Sequence, residues 1–173
     1  MRLRSVLPFL VVIAASSRPA SAEEEGTPAE LAAIKVAQAW HAALIDSPSA
    51  TVEVSKEQPL VYVLHNLPTK SCRGLGRGSA IAAPAVLKLK KCLMDTRKAL
   101  GTEPPTADFR AFPLDQVIAG YDSKERKMMK ELAKDATVIV SQYIGDGLTM
   151  NVSLVVGADG RVRAAWVEYG EFE

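Results

Sequence analysis

Cysteine and histidine are scarce, with two of each in 173 residues. A tetrahedral zinc site draws several such ligands together, so the composition leaves little to build one. Aromatic residues make up 6% of the chain, and none interleaves with the lysines of its middle third. That absence disfavours a single-strand nucleic-acid platform, which needs rings beside its cations. No charge of either sign dominates, because 21 basic residues meet 20 acidic ones and the formal net charge is +1. Long apolar runs are missing too: the longest, Val6 to Ala15, is too short to span a bilayer. There is no internal repeat and no low-complexity tract. With 48% apolar and 24% charged residues, the remaining class is a single folded domain.

The first segment reads as a signal peptide. Arg2 and Arg4 precede the apolar run, and Ala20-Ser21-Ala22 supplies the small residues of a cleavage site. The predicted division is a signal peptide over 1–22, a flexible leader over 23–28 and one domain over 29–173. The alternatives are an uncleaved anchor or a buried first helix. Cleavage after Ala22 removes 22 residues and three arginines with no acid, leaving 151 residues at −2. The expected location is therefore exported, periplasmic or extracellular, with no membrane span in the mature chain. An oxidising compartment makes a Cys72–Cys92 disulfide the expected state of the two cysteines, the alternative being two buried free thiols.

Hydrophobic periodicity predicts a helix over 30–45, with Ala33, Ile34, Val36, Ala37, Trp40, Leu44 and Ile45 on one arc. Thr27 and Glu30 resemble a capping box, with Pro28 at the first helical position. Residues 59–65 read as a strand apolar on both faces, and 66–78 as a glycine-rich loop. A second helix over 84–100 carries Val86, Leu89, Cys92, Leu93, Thr96 and Leu100 inward. A short strand is expected near 108–114. A helix follows over 115–134, broken at Gly120 and restarted by Asp122 and Glu125. Strands at 136–144, 148–156 and 161–169 then form a meander through Gly145-Asp146-Gly147 and Gly157-Ala158-Asp159-Gly160. In the last strand Val162, Ala164 and Trp166 share a face by alternation. The order of elements argues an α+β fold with an antiparallel sheet covered on one face.

Candidate chemistry is thin. His41 lies within the apolar arc of the first helix, where it either points into a pocket or is hydrogen-bonded in the core. Trp40, Tyr62 and Trp166 either line a pocket or are plain core. Gln142 alternates with Val138 and Val140; pointing inward it needs partners, and it either orients a ligand or is hydrogen-bonded within the core. His65 reads as a strand-end residue and Asp146 as a turn residue. The run Gly74-Leu75-Gly76-Arg77-Gly78-Ser79 lacks the Lys-Ser/Thr of a phosphate loop. Lys70 to Lys98 holds eight basic residues against Asp95, while 23–58 holds seven acids against two lysines. This asymmetry suits a protein partner, an anionic surface or a second copy of the chain.

The string Ala39-Trp40-His41-Ala42-Ala43-Leu44, the following strand, and the closing hairpins from Ile144-Gly145-Asp146-Gly147 to Gly160-Arg161-Val162 resemble the nuclear-transport-factor-2-like (SnoaL-like, cystatin-like) superfamily. Lys91-Cys92-Leu93, with a cysteine in the loop before it, is similar to an exported bacterial subgroup of unassigned function. The resemblance implies a cone-like, curved antiparallel sheet packed around a long N-terminal helix, with additional helices. It also implies a pocket between them, for which Trp40, His41, Tyr62, Gln142 and Trp166 are the candidates. Pocket enzymes of the family use an Asp or His base, but no strand-interior acid stands where such a base is expected. The favoured reading is a non-catalytic exported domain that binds a small molecule or protein partner, with a homodimer as one arrangement. No cofactor, metal or nucleic acid is expected. The alternative is a small-molecule isomerase or lyase with His41 as base.

Overall fold

The structure, a computed structural model, describes residues 26–47, 60–75, 79–80, 83–101 and 108–171. The predicted signal peptide, the start of the leader and residues 76–78 of the glycine-rich loop lie outside the described residues.

Helix α1 spans Pro28–His41. Its start is the predicted capping box: the Thr27 hydroxyl accepts from the Glu30 N–H at 3.3 Å, and Glu30 Oε2 accepts from the Thr27 N–H at 2.7 Å. A wider π-turn, Ala42–Asp46, continues the helix and buries Leu44 and Ile45. Strand β1 (Val61–His65) follows, then a 3₁₀ turn at Lys70–Cys72, the two-residue strand β2 (Ser79–Ala80) and helix α2 (Ala83–Lys98). Strand β3 covers Asp108–Phe112. A short helix α3 (Leu114–Val117), a 3₁₀ turn (Ile118–Gly120) and helix α4 (Ser123–Leu132) connect it to the meander. The meander is β4 (Ala136–Gly145), β5 (Leu148–Gly157) and β6 (Val162–Glu171).

The fold is α+β, with a six-stranded sheet in the order β2-β1-β6-β5-β4-β3. The sheet is mixed rather than wholly antiparallel, because β1 runs parallel to β6, with Val63 beside Trp166 and His65 beside Glu168. The remaining pairings are antiparallel. Nor is the sheet covered on one face only. On the first face α1 and α2 pack against Tyr62, Ile139, Tyr143, Met150, Val152 and Leu154. On the second face Ile118 and Met129, with Leu114, Met128 and Leu132 beside them, pack against Val63, Val138, Val155, Ala164 and Trp166. This double cover explains why β1 is apolar on both sides.

Alternation holds along β4 and β5 but slips in β6. Val155 pairs with Ala164 whereas Val156 pairs with Val162, so Arg163 is an extra residue in a β-bulge. The bulge sends Val162 to the first face while Ala164 and Trp166 keep the second, contrary to plain alternation.

Two covalent and steric constraints lock α2 to its surroundings. Cys72 and Cys92 form a disulfide of sequence separation 20, which ties the 3₁₀ turn to the buried side of the helix. At the helix's far end the Leu100 carbonyl accepts from the Asp146 N–H at 2.9 Å. A side chain at Gly145 would place its Cβ 1.7 Å from that same carbonyl oxygen, so only glycine fits.

Gly145→Ala should therefore lower stability by about 3 kcal/mol. Gly120→Ala, where a Cβ meets nothing within 4 Å, should stay within about 0.5 kcal/mol. Urea unfolding of both variants checks the contrast, and equal midpoints would contradict it. Loop-closure entropy predicts that Cys72→Ala/Cys92→Ala costs about 3 kcal/mol, measurable by the same titration with and without reductant on the wild type.

Candidate functional site

The sheet separates the chain's polar interior into two places. On the first face, α1 lies across β3, β4 and β5 and delivers His41 into the core, fully buried. Tyr143 Oη lies 2.6 Å from His41 Nδ1, and Ser141 Oγ lies 2.9 Å from Nε2. The Ser141 hydroxyl also donates to the Val152 carbonyl at 3.3 Å. One proton arrangement satisfies these three contacts, at the expense of the longer one from the Tyr143 hydroxyl to Asp46 Oδ1 at 3.5 Å: Tyr143 O–H donates to Nδ1, Nε2–H donates to Ser141, and Ser141 donates to Val152. It requires a neutral imidazole. Burial, aided by the nearby Arg97 charge, lowers the His41 pKa to about 3. Phe109 and Trp40 meet the imidazole edge-on.

Asp46, at the end of the π-turn, joins this network from outside. It accepts from Arg97 Nη1 at 2.5 Å, and Arg97 also sits 5.6 Å from the Tyr143 ring centre. Burial and then the Asp46 charge raise the Tyr143 pKa. The group is a closed hydrogen-bonded lock between α1, α2 and β4.

The second face is different. Strand register sets its side chains in rows across the sheet. One row is apolar: Val61, Ala164, Val155, Val138 and Phe112. Two residues further along each strand, the row reads Val63, Trp166, Ser153, Val140 and Arg110. The next is wholly polar: His65, Glu168, Asn151, Gln142 and Asp108. Helix α4 and its neighbours cover the apolar end. Beyond their cover a cleft of about 600 Å³ opens between the polar row and the segment that joins β3 to α4.

Aromatic rings form one wall of the cleft. Tyr121 stacks between His65 and Trp166, with ring centres 6.5 and 5.9 Å away and planes within 18° of parallel. Burial raises its pKa, partly offset by Ser153, with the Glu168 and Glu125 charges adding to the rise. Glu125 is 8% exposed and its Oε1 lies 3.3 Å from His65 Nε2, without hydrogen-bond alignment. Its backbone N–H caps α4 by donating to Asp122 at 2.8 Å. The reciprocal side-chain bond that Glu30 makes in α1 is not formed here. The Trp166 indole N–H is buried and meets no acceptor among the described residues.

The five candidates from the sequence thus divide by face. Trp40, His41 and Tyr62 belong to the first-face core, and His41 does point inward. Trp166 lies under the cleft on the second face. Gln142 is also on the second face but lines a neighbouring hollow with Arg110 and Ile144. Sequence reasoning missed Tyr121, Glu125, Asn151, Ser153 and Glu168. The signal for Asn151 and Ser153 was present, since they alternate with the apolar residues of β5. Glu125 was hidden by its place in a capping pattern. Among the described residues no three His, Cys, Asp or Glu side chains gather where they could hold a metal.

No family model, no curated protein and no solved structure matches this chain.

The His41 lock makes stability depend on pH. An unfolded histidine takes up a proton below about pH 6.5, whereas the folded one stays neutral down to about 3. Within that window the unfolded chain binds more protons, so stability falls as pH falls. The wild type should lose about 2 kcal/mol more than His41→Gln between pH 6.5 and 5. Parallel stability curves, measured by urea unfolding at each pH, would rule the lock out.

Proposed function

We propose that this chain is an exported, non-catalytic domain that binds a small molecule in the second-face cleft. The observation that carries the reading is the cleft itself: an open volume of about 600 Å³ with rings on one side and a row of polar groups converging on it. Aromatic walls supply contact area, and a few placed polar groups orient a ligand.

The non-catalytic side is supported by His41. A general base has to reach its substrate and titrate near the working pH. His41 is buried with both ring nitrogens engaged, and its pKa near 3 leaves it a weak base. Export is supported by the leader pattern, by the Cys72–Cys92 disulfide, and by a described chain in which no helix is long and apolar enough to cross a membrane. The proposed kinship with the nuclear-transport-factor-2-like superfamily, including a cone-like sheet, is supported by the long first helix lying across the sheet and by the closing meander.

Titrating uncharged single-ring aromatics such as phenol or benzamide into isotope-labelled protein should shift the resonances of Tyr121, Ser153 and Trp166. Gly120 lines the cleft and has open space where a side chain would go. Gly120→Phe should therefore fill the cleft and weaken binding at least about tenfold while the protein stays folded. Shifts centred on His41 and Tyr143, indifferent to Gly120→Phe, would move the site to the first face and defeat the proposal.

A further inference from the structure

The cleft has a charge of one sign. Its lining holds two carboxylates, Glu125 and Glu168, one imidazole, His65, and no lysine or arginine. This is unexpected in a chain with 21 basic residues. The distribution has a structural cause on each side. On α4, Arg126, Lys127 and Lys130 border a separate surface hollow with Ser123, Glu131 and Lys134. Only Glu125 of that helix lines the cleft. On the sheet, Arg110 is in the adjoining hollow, where Asp108 pairs with it at 2.6 Å.

Glu125 is the more telling of the two acids. Buried carboxylates are ordinarily paired and hydrogen-bonded. The contact found for its carboxylate is the His65 imidazole at 3.3 Å, which lacks hydrogen-bond alignment. Trp166, 2% exposed, lines the same cleft, and its buried indole N–H meets no acceptor among the described residues. Around these acids stand Phe112, Tyr121 and Trp166. A low-dielectric wall of this kind strengthens the attraction of a carboxylate for a cation.

We infer that the ligand of this cleft is an organic amine: a small molecule with a protonated nitrogen set toward Glu125 and Glu168 and a flat apolar body against the rings. The inference rests on the cleft being the binding site and adds the chemical class of what enters it. A carboxylate or phosphate ligand would meet two like charges and no compensating cation. A neutral ligand can offer Glu125 a hydrogen bond but brings no charge to balance the two carboxylates.

Three probes of matched ring and differing charge separate these cases: 2-phenylethylamine, 2-phenylethanol and phenylacetate. Calorimetric titration of the full mature chain should give a Kd for the amine at least about tenfold below that of either other probe. The preference should shrink as salt rises, since screening weakens exposed charges. Glu168 is exposed, so Glu168→Gln should fold normally and weaken the amine about tenfold while leaving the alcohol unchanged. Glu125→Gln, checked for folding by circular dichroism, should weaken the amine likewise. If the alcohol or phenylacetate binds as tightly as the amine, or Glu168→Gln leaves amine affinity unchanged, the amine inference is overturned and the cleft survives as the site. If none of the three binds at millimolar concentration, the cleft reading falls with it.

Discussion

The register of β5 between β4 and β6 fixes both sides of this molecule at once. Met150, Val152, Leu154 and Val156 face α1 and α2, while Asn151, Ser153 and Val155 face the cleft and α4. Side chains alternate with a period of two, so a slip of one residue would exchange the sets. The core would then receive Asn151 and Ser153, and the cleft floor would become aliphatic. Ten paired positions along β4 and nine along β6 hold the strand where it is. The single irregularity, the bulge at Arg163, falls at the end of the β5–β6 ladder away from the cleft, where it does not disturb the polar row.

The two polar assemblies illustrate opposite solutions to one problem. Burying polar groups costs free energy unless partners are supplied. On the first face Tyr143, His41, Ser141 and the Val152 carbonyl satisfy one another, and the result is a rigid connection between helix and sheet. On the second face His65 Nε2 and Trp166 Nε1 are buried without hydrogen-bond partners among the described residues, and Glu125 approaches His65 without alignment. The first arrangement is complete in itself. The second is not, and its unpartnered groups belong to residues that border an open space.

Much of the fold was legible because local signals and packing agree. The Thr27–Glu30 box, the inward arc of α2 from Val86 to Leu100, and the glycine-bearing turns at 145–147 and 157–160 all form where composition placed them. What was not legible depends on which strands become neighbours. Alternation assigns faces within a strand but says nothing of pairing direction, so the parallel β1–β6 contact was invisible. It also cannot show that Trp166 and Tyr62 lie on opposite sides of one sheet, which is why a single pocket seemed to gather them. Glu125 shows a third limit. Its spacing from Asp122 fits a helix cap, and only tertiary structure reveals its carboxylate beside a histidine sixty positions earlier in the chain.

The helical segment from Pro113 to Asp135 contributes Gln116, Val117, Gly120, Tyr121 and Glu125 to the cleft and leaves the sheet to supply the rest. It enters directly from β3 and returns to β4 through Asp135, whose positive φ turns the chain back. The larger core, between α1, α2 and the first face, contains none of its residues. This continuous segment lines the cleft without entering the larger core, whereas β5 and β6 contribute to both. Substitutions along this one passage between two adjacent strands can therefore reshape a wall of the cleft while the first-face core keeps its own sequence.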